Sequence, residues 1–226
     1  MTLPDSITEL AAQGVKAMRR DPHHYFDWRI RREIYRSLKQ INSPPGKTIH
    51  AWLGVLAAEH VLPIFTRRFP EDSLPADLLA MAIQVAEGNI APQSDRVSNL
   101  LNEGHFRTGI NNFTWRGSLV YNAEYAGQAC YKALLEATRY QELLEDIEQC
   151  PHLKRKLPSI GNQAALAIKD TDFAFLDAYG DTAASAAIAY ACRPDKSILR
   201  CDSLRLFWEW WVDTALPVAW ERASLQ

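Results

Sequence analysis

With 226 residues, the chain is long enough to bury a substantial core in one large domain or two small ones, and we predict one domain over residues 1–226. The formal net charge of -2 argues against a nucleic-acid partner, because such binders usually carry a basic surface. The four cysteines form no CxxC pair and have no zinc-type spacing to the six histidines, so we expect reduced thiols and neither a metal nor a cofactor. Without an apolar run of membrane-spanning length or a secretory signal, we expect a cytoplasmic protein with no membrane contact.

The spacing of apolar residues predicts helices along the whole chain. In chain order they cover residues 4–20, 25–41, 48–69, 75–89, 91–103, 118–150, 172–191 and 202–222. The stretches 118–150 and 172–191 are each consistent with one helix or with two in succession. Residues 104–117 are expected to form a loop or the start of the next helix, and residues 192–197 a last turn. No segment alternates apolar and polar residues over the length of a strand, so the predicted fold class is all-α, a compact multi-helix bundle.

Residues 48–69 and 202–222 are predicted to be the two central helices, because both are apolar on nearly every side. Each carries a proline, Pro63 or Pro217, that follows a leucine and lies four residues after an acid. A proline inside a helix donates no hydrogen bond to the carbonyl four residues earlier. Both central helices are therefore expected to bend at their prolines.

The predicted helix at residues 202–222 holds four of the seven tryptophans. Trp208 and Trp211 fall within a broad apolar stripe that is typical of a core face, whereas Trp210 and Trp220 fall on the opposite side. We expect a largely buried helix in which Trp210 and Trp220 are the more exposed rings. The alternative is a surface patch that docks a partner, since tryptophan combines a large apolar area with a polar N–H group.

Three acids lie within the predicted central helices. Glu209 and Asp213 stand four residues apart, so their carboxylates share a face that suits a divalent metal or a division of acid and base roles. No further ligands stand at metal spacing, so we expect the acids to accept hydrogen bonds from arginine, tryptophan or backbone groups instead. The alternative is a small helical enzyme or ligand-binding protein, with a pocket between the two Leu-Pro helices built on Glu59, Trp208, Glu209 and Asp213. The sequence holds no catalytic signature, so we assign no catalytic residue and expect no enzyme.

Two charged surfaces are candidates for partner binding. The acidic strip consists of Glu142, Glu145, Asp146 and Glu148. Like charges at this spacing slightly destabilise a helix, so fold stability gives no reason for the strip. We therefore expect it to steer the protein toward a basic partner surface. The alternative is a solubilising face, or one neutralised by Lys154, Arg155 and Lys156. The basic face consists of Arg29, Arg32, Arg36 and Lys39. It is expected to be solvated or paired with the central acids.

Four segments carry a family resemblance: RRDPHHYFDWRIRREIYRSL, AWLGVLAAEHVLPIF, FPEDSLPADLLAMA and LRLFWEWWVDTALPVAW. Together they resemble an all-helical family of predicted immunity proteins, encoded beside toxin genes in bacterial polymorphic toxin systems and catalogued as the fifth immunity family. The resemblance is strongest in the two Leu-Pro helices and fades between Gly104 and Lys156. It implies a cytosolic protein that binds a cognate toxin and blocks it, and it carries over no toxin-contact residues. A structural or adaptor module without a toxin partner is a third possible class.

Overall fold

This computed structural model describes residues 2–108, 121–149, 181–193 and 196–226. The elements are, in chain order, α1 (Asp5–Arg20), α2 (Trp28–Lys39), α3 (Gly46–Arg68), α4 (Leu74–Ala86), α5 (Asp95–Thr108), α6 (Tyr121–Gln149), α7 (Thr182–Ala191), β1 (Cys192–Arg193), β2 (Lys196–Leu199), α8 (Cys201–Trp210) and α9 (Leu216–Ser224). A π-helical turn, Trp211–Ala215, joins α8 to α9. The helices share one hydrophobic core, and the predicted all-α fold class is confirmed.

The centre of the fold is α3, which is buried over most of its length and packs against α4, α6, α7 and α9. The prediction of a central helix at residues 48–69 is therefore confirmed. Contrary to the sequence-based expectation, this 23-residue helix is long and apolar enough to cross a membrane, with a mean hydropathy of 1.3 over its most apolar window. Because 61% of that window is buried inside the protein, α3 has the burial expected of a core helix.

The tryptophan-rich helix places its rings on two sides, largely as predicted. Trp208 and Trp211 have no exposed surface. The ring of Trp208 stacks on Phe26 with centroids 5.4 Å apart, and Trp211 meets Phe26 edge-on at 6.0 Å. The prediction that Trp220 is one of the more exposed rings is wrong, because Trp220 is only 5% exposed. The π-helical turn accounts for this difference: it holds more residues per turn than an α-helix and so rotates every later residue relative to the α-helical register.

The two prolines of the Leu-Pro pairs are placed differently. Pro63 lies inside α3, whereas Pro217 lies in the first turn of α9, directly after the π-helical turn. Pro217 has no N–H group to donate to the carbonyl of Asp213, so the π-helical turn falls where the α-helical hydrogen-bond ladder is already interrupted. The bends expected at both prolines stay predictions.

α5 extends further than the sequence predicts. It continues through Gly104 to Thr108, where a loop or the start of the next helix is expected. A Cβ atom on Gly104 would lie 2.7 Å from Cδ2 of Tyr131 in α6, closer than real Cβ contacts come. The glycine therefore permits the close packing of α5 on α6 instead of ending the helix.

A short hairpin replaces part of the expected turn at residues 192–197. β1 and β2 are antiparallel, with Cys192 opposite Leu199 and Arg193 opposite Lys196. Strands of this length carry too few residues to show an alternating pattern, which is why the sequence gives no signal for them. The hairpin joins the end of α7 to the start of α8 and so brings those two helices together.

Candidate partner-binding face

The four residues of the alternative pocket lie in different surroundings. A carboxylate oxygen of Glu59 lies 3.7 Å from Nη1 of Arg222, and Glu209 accepts a hydrogen bond of 2.8 Å from Nε of Arg19. Trp208 is fully buried and Asp213 is exposed. None of these four side chains forms a hydrogen bond or an ion pair with another of the four. An enzyme pocket built on them stays a prediction.

The two charged surfaces have different outcomes. The acidic residues Glu142, Glu145, Asp146 and Glu148 belong to the last turns of α6, but their side chains lie outside the described residues. The strip therefore stays a prediction. In the basic face, Arg29 lies 3.7 Å from Asp27, while Arg32 and Arg36 lie 3.3 and 2.9 Å from the carboxylate of Glu33. These three arginines pair with acids of their own segment.

A buried ionic centre, which the sequence did not single out, joins α2 to α7. Arg31 is fully buried, and its Nε and Nη2 donate to the two carboxylate oxygens of Asp181 at 3.0 and 3.3 Å. Tyr35 donates its hydroxyl to the same carboxylate at 3.0 Å. Asp181 also caps α7 by accepting from the backbone N–H of Ala184 at 3.1 Å. The Arg31 guanidinium completes the centre by lying 4.8 Å above the ring of Trp208.

Two titratable groups adjoin this centre. Glu136 accepts a 2.6 Å hydrogen bond from the backbone N–H of Thr182. Burial raises the pKa of Glu136 to about 8, and the negative charge of Asp181 adds to the rise. Burial lowers the pKa of His50 to about 4, although Asp181 opposes that change. Both groups are therefore neutral in the folded protein near pH 7. Since the whole centre is closed to solvent, we interpret it as a structural link between α2 and α7 and not as a binding site.

A different cluster of polar and aromatic side chains reaches the surface. We call it the aromatic–arginine face, and it consists of His60, Ile64, Arg67, Tyr190, Arg193, Arg200, Leu206 and Trp210. At its centre the ring of Trp210 stacks on His60, with centroids 3.9 Å apart and planes inclined by 18°. On the other side of His60 lies Tyr190, at a centroid distance of 5.2 Å. These three rings are half-buried, and Leu206 beside them is 49% exposed.

The helices explain why these rings meet. His60, Ile64 and Arg67 follow one another at spacings of four and three residues, so they form a single outward stripe on α3. Leu206 and Trp210, four residues apart, form the matching stripe on α8, and Tyr190 arrives from the end of α7. Partial burial lowers the pKa of His60 and so favours its neutral form. A neutral imidazole can stack on Trp210 without the cost of removing a charge from water.

At one edge of this face is a cavity of about 780 Å³, which we call the arginine cavity. Its described lining contains four arginines, Arg67, Arg68, Arg193 and Arg200, and no carboxylate. Arg200 is held in place because it donates to the backbone carbonyls of Tyr190 and Ala191, at 3.2 and 3.4 Å. The sequence could have suggested the Arg67–Arg68 pair at a helix end, but the approach of Arg193 and Arg200 depends on the hairpin.

The fold and the face together define an all-α protein with a half-exposed aromatic and basic surface. Among the described residues, no group of three or more histidine, cysteine, aspartate or glutamate side chains is arranged to hold a metal ion. The family model for immunity protein Imm5 matches residues 12–218 of the chain. Because the match covers most of the sequence, the chain belongs to the Imm5 family of immunity proteins, and the predicted family resemblance is confirmed. No curated protein matches the chain.

Proposed function

We propose that this protein binds a cognate toxin of a bacterial polymorphic toxin system and neutralises it in the cytosol. The observation that carries the proposal is the match of residues 12–218 to a family of immunity proteins. An immunity protein of this kind acts by occupying its toxin and not by catalysis. A stable all-α scaffold that presents a preformed surface suits this task, because little conformational freedom is lost when a rigid surface docks.

The aromatic–arginine face is the toxin-binding surface in this proposal. Binding energy at protein interfaces concentrates on a few residues, most often tryptophan, tyrosine and arginine, near the centre of a patch. Trp210 and Tyr190 flank His60, and Arg200 is fixed beside Tyr190 by its bonds to backbone carbonyls. A partner that covers the three rings would bury their remaining apolar surface without having to reorganise them.

The test is binding and protection by a Trp210→Ala variant. We expect its affinity for the toxin encoded beside its gene to fall by a factor of about 30 or more, which corresponds to about 2 kcal/mol, the loss typical of a central tryptophan. The matched control is Leu225→Ala, which removes an exposed apolar side chain, 82% accessible, outside the face. Affinity is measured with purified proteins, and protection is measured as survival during co-expression of the toxin.

Two results would contradict different parts of the proposal. A parent protein that neither binds the neighbouring toxin nor protects against it would contradict the function. A Trp210→Ala variant that is folded and keeps the parent affinity would leave the function standing but would exclude this face as its site. The acidic strip at Glu142, Glu145, Asp146 and Glu148 would then be the next surface to test.

A further inference from the structure

We infer that the arginine cavity binds an acidic segment of the protein partner, through carboxylates that enter between its guanidinium groups. This inference rests on the proposed function, because it names the chemistry of the toxin surface that the aromatic–arginine face recognises. It also reverses the polarity expected from the acidic strip, which would favour a basic partner surface.

The first argument is an excess of positive charge. The C-terminal ends of α3 and α7 both meet the cavity, and each carries a partial charge of roughly −0.5, so together they offset about one of the four arginines. No carboxylate among the described residues lies within 4.0 Å of a guanidinium nitrogen of Arg67, Arg68, Arg193 or Arg200. About three positive charges therefore share one concave surface, where each repels the others and an anionic ligand would relieve that repulsion.

The second argument is that the donors are arranged before any ligand binds. Arg200 is anchored to the end of α7 by two backbone carbonyls. The guanidinium of Arg68 lies 6.0 Å from the ring centroid of Phe69, which supports its planar group from one side. Arg67 on α3 and Arg193 on β1, both exposed, also line the cavity. Arginine forms paired, charge-assisted hydrogen bonds with a carboxylate, so this arrangement suits aspartate and glutamate side chains.

The third argument selects a protein ligand over a nucleic acid. The arginine cavity is continuous with the aromatic rings through Tyr190, which lines the cavity and contacts His60. An apolar and aromatic centre with arginines at its edge is the composition of a protein interface. Nucleic-acid binding, in contrast, depends on a broad basic surface, and the whole chain has a formal net charge of -2. The cavity, at about 780 Å³, holds a few side chains.

The test neutralises Arg67 and Arg193, two exposed arginines that do not share the backbone hydrogen bonds holding Arg200. In the double variant Arg67→Gln/Arg193→Gln, we expect affinity for the toxin to fall at least tenfold, mostly through slower association, with a weaker dependence on salt. The matched control is Arg20→Gln/Arg96→Gln, which removes the same charge from exposed positions on α1 and α5. Parent-like affinity and salt dependence in the cavity variant, or an equal loss in the control, would overturn the inference.

The outcomes also separate this inference from the proposed function. If Trp210→Ala loses toxin binding and Arg67→Gln/Arg193→Gln does not, the face is correct and the inference is wrong. If the parent does not bind the toxin at all, the proposed function fails, and the cavity is tested alone with a labelled hexaglutamate peptide at low salt. Peptide binding that is lost only in the cavity variant supports an acidic ligand. If the peptide does not bind, or if an eight-residue thymidine oligonucleotide binds more tightly than the peptide, the inference is overturned.

Discussion

The pH dependence of stability should reveal the buried state of Glu136. This side chain is 5% exposed, and its pKa is raised to about 8 by burial first and by Asp181 second. In the unfolded chain the same group has its ordinary value of 4.5. Between these two values the folded protein holds a proton that the unfolded chain releases. The free energy of unfolding therefore decreases as pH rises from 4.5 to about 8.

His50 acts in the opposite direction over a lower range. Its pKa is lowered from 6.5 to about 4, so between those values the unfolded chain binds the extra proton and stability increases with pH. The two effects oppose each other up to about pH 6.5, and above that value the effect of Glu136 becomes the larger of the two, because the unfolded imidazole of His50 is progressively neutral. The slope of ~1.4 kcal/mol for each pH unit decreases as the pKa of Glu136 is approached, and His50 offsets part of it. The free energy of unfolding should therefore fall by about 1 kcal/mol between pH 6.5 and 8.

Urea unfolding at several pH values in this range measures the decrease. In a Glu136→Gln variant the decrease should disappear, because glutamine cannot ionise yet can still accept the 2.6 Å hydrogen bond from Thr182. Glu9→Gln, which changes an exposed carboxylate on α1, should keep the parent's dependence on pH. The reasoning would be refuted by a parent whose stability does not change from pH 6.5 to 8, or by a Glu136→Gln variant that retains the parent's slope.

Three further predictions address the core, cofactors and the untested surface. Trp208→Ala and Trp211→Ala should each reduce the free energy of unfolding by roughly 3–5 kcal/mol, because each leaves a large cavity; denaturant midpoints close to the parent's would contradict their burial. Extensive chelation should leave the melting temperature unchanged, whereas a decrease that one divalent ion reverses would restore the case for a metal site on the last helix. Replacing Glu142, Glu145 and Asp146 with glutamine, glutamine and asparagine should slow toxin association if the acidic strip binds, and unchanged protection, on-rate and salt dependence would exclude it.

The helices could be predicted because the information for them is local. Apolar residues at helical spacing mark α2 directly. α3 is marked instead by a long run that is apolar on nearly every side, and its burial follows from that lack of a polar face. The π-helical turn could not be predicted, since it depends on how the hydrogen-bond ladder is rearranged before Pro217. That single turn is enough to move Trp220 from the predicted outer side to the core.

The buried ionic centre was only partly accessible from the sequence. Arg31 stands three and seven residues before Ile34 and Leu38, so it occupies the apolar stripe of α2, which is itself a signal of a buried charge. Its partner Asp181 lies 150 residues away, and no local pattern specifies that pairing. Likewise, the exposure of Trp210 was predicted, but its stacking on His60 requires α3 and α8 to be adjacent in space.

The core and the candidate face are built on opposite sides of the same two helices. α8 directs Trp208 inward and Trp210 outward, and α3 buries Val61 while His60 meets the face. The rings of the face are thus held by packed helices, so their geometry depends on the fold. A core change at Trp208 should lower binding only through loss of folded protein, with a lower unfolding midpoint. A change at Trp210 should lower binding at a nearly unchanged midpoint, because its ring is half-exposed in the free protein. Measuring affinity and midpoint for both variants therefore distinguishes a role in binding from a role in the fold.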